Sequence, residues 1–412
     1  MAEYDVVVIG AGAAGLAATR TLVESGLRVV ALEARDRIGG RAWTDSETFG
    51  VPFDRGCAWL HSADINPWRE IARRLGFTVI ERKQVWRSRV GQQPLSPEQA
   101  AGWDAALAAR FDAIAALGTD GSDLPASQVP APESTWDPLI DAVISWYTSV
   151  DAEQVSTRDF TNIRDTDTDW PIVEGYGALV ARYGEGLPVS LRTLVTSIIW
   201  GGSSVVAESS AGTVQARAAI VAVPTGVLAS ASIRFDPALP PAKDEAIREI
   251  PLGVAEKVVL QIEPQVLAVE AGSFGVPRAD TPRTIAFQFY PFARPIVIGF
   301  LGGALGRELV AAGEAAMTDF AVAELVRMFG SDVRRHVRRS TTTAWALDPH
   351  IAGGYSAARP GHAHRRVDLA APVDGRLFFA GEACSVDSYA TCHGAYLTGV
   401  EAARAAAAAL RR

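Results

Sequence analysis

The chain is poor in the residues that build covalent scaffolds. It has three cysteines in 412 residues, Cys57, Cys384 and Cys392. That is too few for a disulfide framework and fits a reducing compartment. Long hydrophobic runs are missing too. The Ala402–Leu410 stretch is interrupted by Arg404 and followed by Arg411-Arg412, so no segment reaches the length of a bilayer span. The first strand-like run starts at Tyr4, and we expect no signal peptide, no membrane and a cytoplasmic protein. Positive charge is in deficit: 39 Lys and Arg stand against 47 Asp and Glu, a formal net charge of −8. That excludes the usual electrostatics of a nucleic-acid binder. We expect no metal site. The length is enough for two domains, and 48% hydrophobic residues supply their cores.

What is present begins at the N-terminus. Val6–Ile9 has the β-branching of a buried parallel strand, and Gly10, Gly12 and Gly15 follow it in the GxGxxG spacing. These glycines permit a tight turn, close backbone approach and close helix packing. The helix amides then face a pyrophosphate. A second apolar strand, from Leu27, ends on Glu33, placed to accept hydrogen bonds from a ribose diol. Arg35, Arg37, Gly39, Gly40 and Arg41 come next and return cations and glycines toward the same phosphates. GxGxxG occurs once in the sequence, so a second dinucleotide site is not expected.

Other segments carry weaker patterns. Ser96-Pro97-Glu98-Gln99 opens a helix as a capping box, and Trp103, Leu107, Phe111 and Ile114 form its apolar stripe. Residues 118–136 read as an exposed loop. Val189–Ile198 and Thr213–Val223 read as strands about a turn at Gly201-Gly202. Further strands are expected near Val254–Ile262 and Pro295–Leu301, and a helix over Met317–Phe329. Alternation places Ala255, Lys257, Val259 and Gln261 on one face of their strand, and by pattern alone that is the solvent side. Asp165, Asp167 and Asp169 read as a solvated acidic loop able to draw a polycation.

The run Glu33-Ala34-Arg35-Asp36-Arg37-Ile38-Gly39-Gly40-Arg41 resembles that of the flavin-dependent amine oxidase superfamily. Four later blocks extend the likeness to polyamine oxidases and lysine-specific histone demethylases. They are Asp54–His61, Gly253–Lys257, Trp345–Ser356, and Phe379–Glu382 with Ala390–Ala395. The resemblance implies an α/β fold, with a Rossmann-type FAD-binding domain interleaved with an α+β substrate-binding domain. The implied segments are 1–80, 176–245 and 346–412 for FAD, and 81–175 and 246–345 for substrate. It implies non-covalent FAD, because Gly354 stands where monoamine oxidases carry the cysteine bonded to the cofactor.

By the same resemblance, cofactor contacts fall on Gly10, Gly12, Ala13, Gly15, Glu33, Ala34, Arg35, Gly40, Arg41, Ala58, Trp59, Val195, Trp345, Gly381, Glu382, Thr391 and Cys392. Val195 is implied at the adenine, Glu382 at the ribityl chain, and Thr391 and Cys392 beside the isoalloxazine. Lys257 is implied to hold a water against flavin N5, and Tyr355 to form one wall of an aromatic cage. Thr391 occupies the other cage position, so the cage is incomplete. His61 is a further candidate for lining the substrate site. The implied reaction is hydride transfer from the amine α-carbon to flavin N5, imine hydrolysis, and reoxidation by O2 to H2O2. Trp59-Leu60-His61 stands where amino-acid oxidases place a carboxylate-clamping arginine. The expected substrate is therefore a polyamine or another amine lacking an α-carboxylate. A homodimer is compatible with this reading. Two alternatives stay open on the residues: a dehydrogenase or desaturase acting on a non-amine with another acceptor, and a non-catalytic FAD-bound interaction protein.

Overall fold

The computed structural model describes residues 3–82 and 89–411. Tyr4–Ile9 forms the expected strand. It pairs in parallel with Val29–Leu32 on one side and with the C-terminal half of Gly212–Val221 on the other. Four of its six residues are buried, as a run such as Val-Val-Val-Ile in a covered parallel sheet requires. Leu377–Phe379 adds in parallel beyond Gly212–Val221. An antiparallel hairpin, Val195–Ile199 with Val205–Ser209, extends the sheet from the N-terminal half of that long strand. The predicted strand Val189–Ile198 is thus two strands. Val189–Ser190 pairs with Val29–Leu32, and the chain then crosses to begin the hairpin at Val195.

The helix Ala13–Glu24 packs on this sheet and against the C-terminal helix Cys392–Leu410. Ala402, Ala403, Ala406 and Ala407 are all buried there. Small side chains let the two backbones approach closely: a Cβ on Gly399 would lie 2.2 Å from the Ala14 carbonyl oxygen. The alanine-rich tail is therefore a helix packed into a domain. No helix among the described residues is long and apolar enough to cross a membrane.

A second, largely antiparallel sheet runs in the order Ser340–Thr342, Ala255–Gln261, Ile296–Gly302, Ala286–Phe289, Phe274–Val276, Arg89–Val90 and Gln93–Pro94. Helices Gly303–Ala312 and Glu314–Phe329 cover one of its faces, where Val258 and Leu260 are buried with Phe287, Phe289 and Leu325. The opposite face meets Phe49 and Phe53 through Val259, Ile296 and Ile298. Here the structure corrects the strand pattern. Lys257 shares the Val259 face, but the Phe49–Trp59 segment covers that face, and Lys257 is 8% exposed.

The helix after the capping box runs Pro97–Thr119, with reciprocal Ser96 and Gln99 hydrogen bonds and Trp103 and Ile114 buried. It therefore includes the first two residues of the predicted 118–136 loop, and a short 3-10 turn, Ala126–Gln128, lies within the rest.

The first glycine turn is closely packed. A Cβ on Gly15 would lie 1.9 Å from the Gly10 carbonyl oxygen, which is backbone and cannot move aside. Gly15→Ala is expected to destabilise the protein by about 1–3 kcal/mol through overpacking. Thermal unfolding followed by circular dichroism reads this as a lowered Tm. An unchanged Tm would show that the turn tolerates a side chain.

Candidate active site

The nucleotide cradle is assembled from two glycine turns. Gly12 caps the helix Ala13–Glu24 with no side-chain partner, which leaves the first-turn amides free to face an anion. Gly39 bridges to Gly12, and a Cβ on Gly40 would lie 3.2 Å from the Gly12 Cα. Side chains at these positions would fill the cradle. Glu33 lies just past its strand, and its carboxylate accepts from the amides of Ala11 (2.7 Å) and Arg35 (2.9 Å). This fixes it at the end of the glycine turn with capacity left for a diol. The Glu33 and Arg35 carbonyls accept from Thr193 and Arg192, which brings the start of the Val195 strand beside Ala34. Arg35 is ion-paired with Asp348, close after Trp345. These residues, the unfilled glycine cradle above all, fit FAD.

Glu382 is the second anchor. It is 4% exposed and accepts from Arg41 (2.9 Å), the Ser356 hydroxyl (2.6 Å) and the Ala390 amide (2.9 Å). Burial alone would raise its pKa. The charge of Arg41, the Ser356 hydrogen bond and the charge of Arg366 outweigh that and hold the carboxyl below its usual range. Gly381, immediately before it, has φ +145° and open space where a Cβ would stand. The strained backbone therefore favours glycine, and the space remains for a ligand.

The Arg366 link was not visible in the sequence. Arg366 is fully buried, forks onto Asp159 (2.6 and 2.8 Å), donates to the Ser356 hydroxyl (2.9 Å) and stacks 3.7 Å over the Tyr389 ring. Asp159 lies on a short helix, Thr157–Asn162, in the other half of the chain.

Lys257 forms the floor of the site. Its Nζ donates to the carbonyls of Asp54 (2.7 Å) and Gly56 (2.7 Å). It lies 5.9 Å from the Trp59 ring centroid and 5.6 Å from that of Phe300. Trp59, half-buried, leans on Phe300 (5.7 Å) and Phe274 (6.1 Å), giving an aromatic wall, and Ala58 precedes it in the same turn. Burial pushes the Lys257 ammonium down to about 8, against the pull of Asp54 and Cys57. The two carbonyls can satisfy both N–H groups of a neutral amine, which leaves its lone pair as an acceptor. When the amine is charged, the third position is a donor. Titration near pH 8 thus reverses the polarity of that one position.

Tyr355 is half-buried, and its hydroxyl donates to the Trp146 carbonyl. It is held by that tether and by hydrogen bonds from the Gly253 amide and the Ser149 hydroxyl to its own carbonyl. Trp345 is buried and donates from Nε1 to the Arg55 carbonyl (3.3 Å). The Thr391 hydroxyl caps the C-terminal helix: it accepts from the Gly394 amide (2.9 Å) and donates to the Ser388 carbonyl (2.6 Å). A cap accounts for Thr391 locally, and its hydroxyl is committed there. Cys392 follows as the first helical residue.

His61 lies at the mouth, its side chain 47% exposed, with Nδ1 2.6 Å from Asp169 Oδ1. Desolvation opposes its protonation, but the hydrogen bond and charge of Asp169, with Asp165 behind, raise its pKa. The acidic loop is therefore partly engaged, since Asp165 also accepts from the Tyr147 hydroxyl (3.4 Å). His393, by contrast, is buried against Asn66 (3.3 Å), and burial and the charge of His61 push it down to about 4.

Comparison with known proteins bears on this arrangement. The family model described as flavin containing amine oxidoreductase matches residues 13–407. Polyamine oxidase 2 of Arabidopsis thaliana is 30% identical over 97% of this chain and 87% of its own length. A structure of putrescine oxidase bound to putrescine superposes with a TM-score of 0.81 at 21% identity, covering 98% of this chain and 99% of that one. Cyclohexylamine oxidase from Brevibacterium oxydans IH-35A gives a TM-score of 0.81 at 23% identity, covering 99% and 100%. With its glycine cradle, its buried lysine and the match along nearly its whole length, the chain belongs to the flavin-containing amine oxidoreductase family.

Proposed function

We propose that the protein oxidises an amine without an α-carboxylate, a polyamine or another alkylamine, using O2 as electron acceptor and releasing H2O2. The observation that carries this reading is the buried Lys257 beneath the Trp59–Phe300 wall, bonded to the two carbonyls that precede Trp59. FAD, when bound, supplies the hydride acceptor for the amine α-carbon. The protein's part is to place a neutral amine against the aromatic wall, exclude water and hold a proton site at Lys257 Nζ. Tyr355, fixed by Trp146, limits one side of the substrate space. The Thr391 side leaves room for longer or bulkier amines.

Two features support an amine over an amino acid. The cations near the wall are already engaged: Arg55 binds Asp45 and the Thr342 carbonyl, and Arg294 binds the carbonyls of Pro52 and Val173. Neither serves as a carboxylate clamp. The structural neighbours are named for putrescine and cyclohexylamine, amines that carry no carboxylate.

The test is anaerobic addition of a panel of diamines, polyamines and cyclic amines to the holoenzyme. Bleaching of the oxidised flavin, followed on admission of air by recovery and peroxide release, is the expected result. Bleaching without recovery in air would remove O2 as the acceptor, and no bleaching with any amine would remove the amine reading.

Lys257→Met is expected to lower turnover by about 10²-fold, the low end of general acid–base effects. The wild-type rate profile should carry an inflection near pH 8 from Lys257, which is charged below it and neutral above it. That inflection should vanish in the variant while the substrate's own ionisation remains. A variant with wild-type turnover at every pH would remove Lys257 from the mechanism.

Arg366→Met should weaken FAD retention by at least about tenfold, because Ser356 loses the donor that orients it toward Glu382 and Asp159 is left as an unpaired buried charge. Arg366→Lys should recover part of it. Flavin release during dialysis, measured by fluorescence, reads both variants, and equal retention in wild type and Arg366→Met would contradict this role.

A further inference from the structure

The helix Tyr176–Gly184 starts after Gly175, which has no side chain to cap its first amides. The cap comes from a distant part of the chain. Asp54 Oδ2 accepts from the Tyr176 amide and Asp54 Oδ1 from the Gly177 amide (both 3.0 Å). The Thr44 hydroxyl accepts from the Ala178 amide (2.8 Å) and donates to Asp54 Oδ1. Thr44 and Asp54 stand opposite each other on the paired strands Thr44–Asp45 and Phe53–Asp54. Glycines permit the approach. A Cβ on Gly175 would lie 2.3 Å from Thr44 Oγ1, and one on Gly177 would lie 2.3 Å from the Thr44 amide nitrogen.

Asp54 is tied at both ends. While its side chain holds the helix, its own carbonyl accepts from Lys257 Nζ (2.7 Å). Asp54 is 8% exposed. Each of its carboxylate oxygens meets a backbone amide, which only donates, at the positive end of a helix. This suits an ionised carboxylate. Burial raises its pKa, against the Thr44 hydroxyl, the two amides and the charge of Lys257. At Lys257 the relation is reciprocal: burial lowers the pKa, and the charge of Asp54 is the foremost influence against it. The other groups at this corner are accounted for. Cys57 faces Lys257. Arg294 faces Asp54 but donates to the Pro52 and Val173 carbonyls (2.7 and 2.6 Å). Arg55 pairs with Asp45 (2.8 Å), Glu174 accepts from Thr78 (2.8 Å), and Glu256 lies on the far face of the Lys257 strand.

We propose that Asp54 is the positioning residue for Lys257: its carbonyl places Nζ, and its carboxylate supplies the counter-charge that favours the ammonium. The role rests on the reading of Lys257 as the proton site of amine oxidation. Because the carboxylate is held by the Tyr176 and Gly177 amides, the carbonyl of the same residue cannot drift away from Nζ without loss of the helix cap. The fixed charge then sets the pH at which Lys257 changes from a donor toward the substrate space to an acceptor. Without it, burial acts alone and Lys257 stays neutral to lower pH.

The composition makes this directly measurable. The chain has three lysines, Lys83, Lys243 and Lys257. Lysine labelled with 13C at Cε therefore gives a short spectrum, in which Lys257→Met identifies the Lys257 signal. Lys243 is the internal control. It is buried with Nζ on the carbonyls of Asp368, Leu369 and Ala371 (2.6, 2.7 and 2.6 Å), in another part of the fold.

The experiment follows the Cε resonances of the FAD-loaded protein with pH. In the wild type the Lys257 midpoint is expected near pH 8. Asp54→Asn should move it to lower pH by about one unit, the low end of the effect of a neighbouring opposite charge. The inflection in the rate profile should move with it. Asp54→Glu keeps the charge but displaces the cap, so Tm should fall while the Lys257 midpoint stays near its wild-type value. The Lys243 midpoint should be the same in all three proteins. An unmoved Lys257 midpoint in Asp54→Asn, or a shift in Asp54→Glu as large as that in Asp54→Asn, would overturn the role. If Asp54→Asn does not fold, Asp54→Glu decides alone: a midpoint held near pH 8 supports the role and one shifted a unit or more to acid contradicts it. The titration needs no turnover. Its failure therefore leaves the flavin-bleaching test of the oxidase reading standing, whereas a wild-type Lys257 midpoint in the ordinary lysine range would remove the proton site itself.

Discussion

The assembly turns on one buried charge, the Arg366 guanidinium. It has no exposed surface, and its donors go to Asp159, Ser356 and the Ala383 carbonyl. A guanidinium in such a place costs several kcal/mol of desolvation, offset only if its partners arrive in good geometry. The partners come from three stretches of chain: the Thr157–Asn162 helix, the turn at Ser356, and the turn after Glu382. Ser356 passes the arrangement on to Glu382, and Glu382 to Arg41. A shift of any one stretch strands a charge. We attribute to this network the register between the two halves of the site, more than any large net gain in stability.

A similar economy operates on the strand Ala255–Gln261. Alternation sends Glu256 and Lys257 to opposite faces. Glu256 is buried and accepts from the Thr343 hydroxyl (2.5 Å) and the amides of Trp345 (3.0 Å) and Ala346 (2.8 Å), which fixes the turn leading to Tyr355. Lys257 reaches the other way, to the Asp54 and Gly56 carbonyls. One pair of adjacent residues thus ties the aromatic-wall segment and the Trp345–Ser356 segment to the same strand. The Asp54 side chain works in the same region: it caps the helix Tyr176–Gly184 through the amides of Tyr176 and Gly177 (both 3.0 Å).

What the sequence disclosed follows from how local each signal is. Gly10, Gly12, Gly15 and Glu33 lie within one strand–turn–helix–strand unit, so their spacing alone carried the geometry. The Ser96 capping box is local in the same way. Lys257 was not legible by pattern, because the cover that buries its face comes from residues 49–59, about two hundred positions earlier. Only the resemblance pointed inward. Arg366 and Asp159 gave no signal at all. Their pairing is a tertiary event between residues 207 positions apart. Asp169 was visible as part of an acidic cluster, but its partnership with His61 depended on the antiparallel pairing of Trp59–Leu60 with Trp170–Pro171.

The charge layout from mouth to floor bears on how an amine becomes a hydride donor. Asp169 and Asp165 stand at the entrance with His61, whose raised pKa shows the local preference for positive charge. Inward, the ring centroid of Trp59 is 6.4 Å from that of His61 and 5.9 Å from Lys257 Nζ. At Lys257 the preference has reversed, since burial there penalises an ammonium strongly enough to bring it down to about 8. A cationic amine is therefore attracted at the mouth and disfavoured at the floor. Burial beside Lys257 would, on the proposed reading, penalise a substrate ammonium in the same way, and loss of its proton would free the nitrogen lone pair to stabilise the cation left when hydride departs. On the proposed reading, attraction and activation of the substrate are separate ends of one field, and the aromatic wall between them is what keeps the two ends electrically distinct.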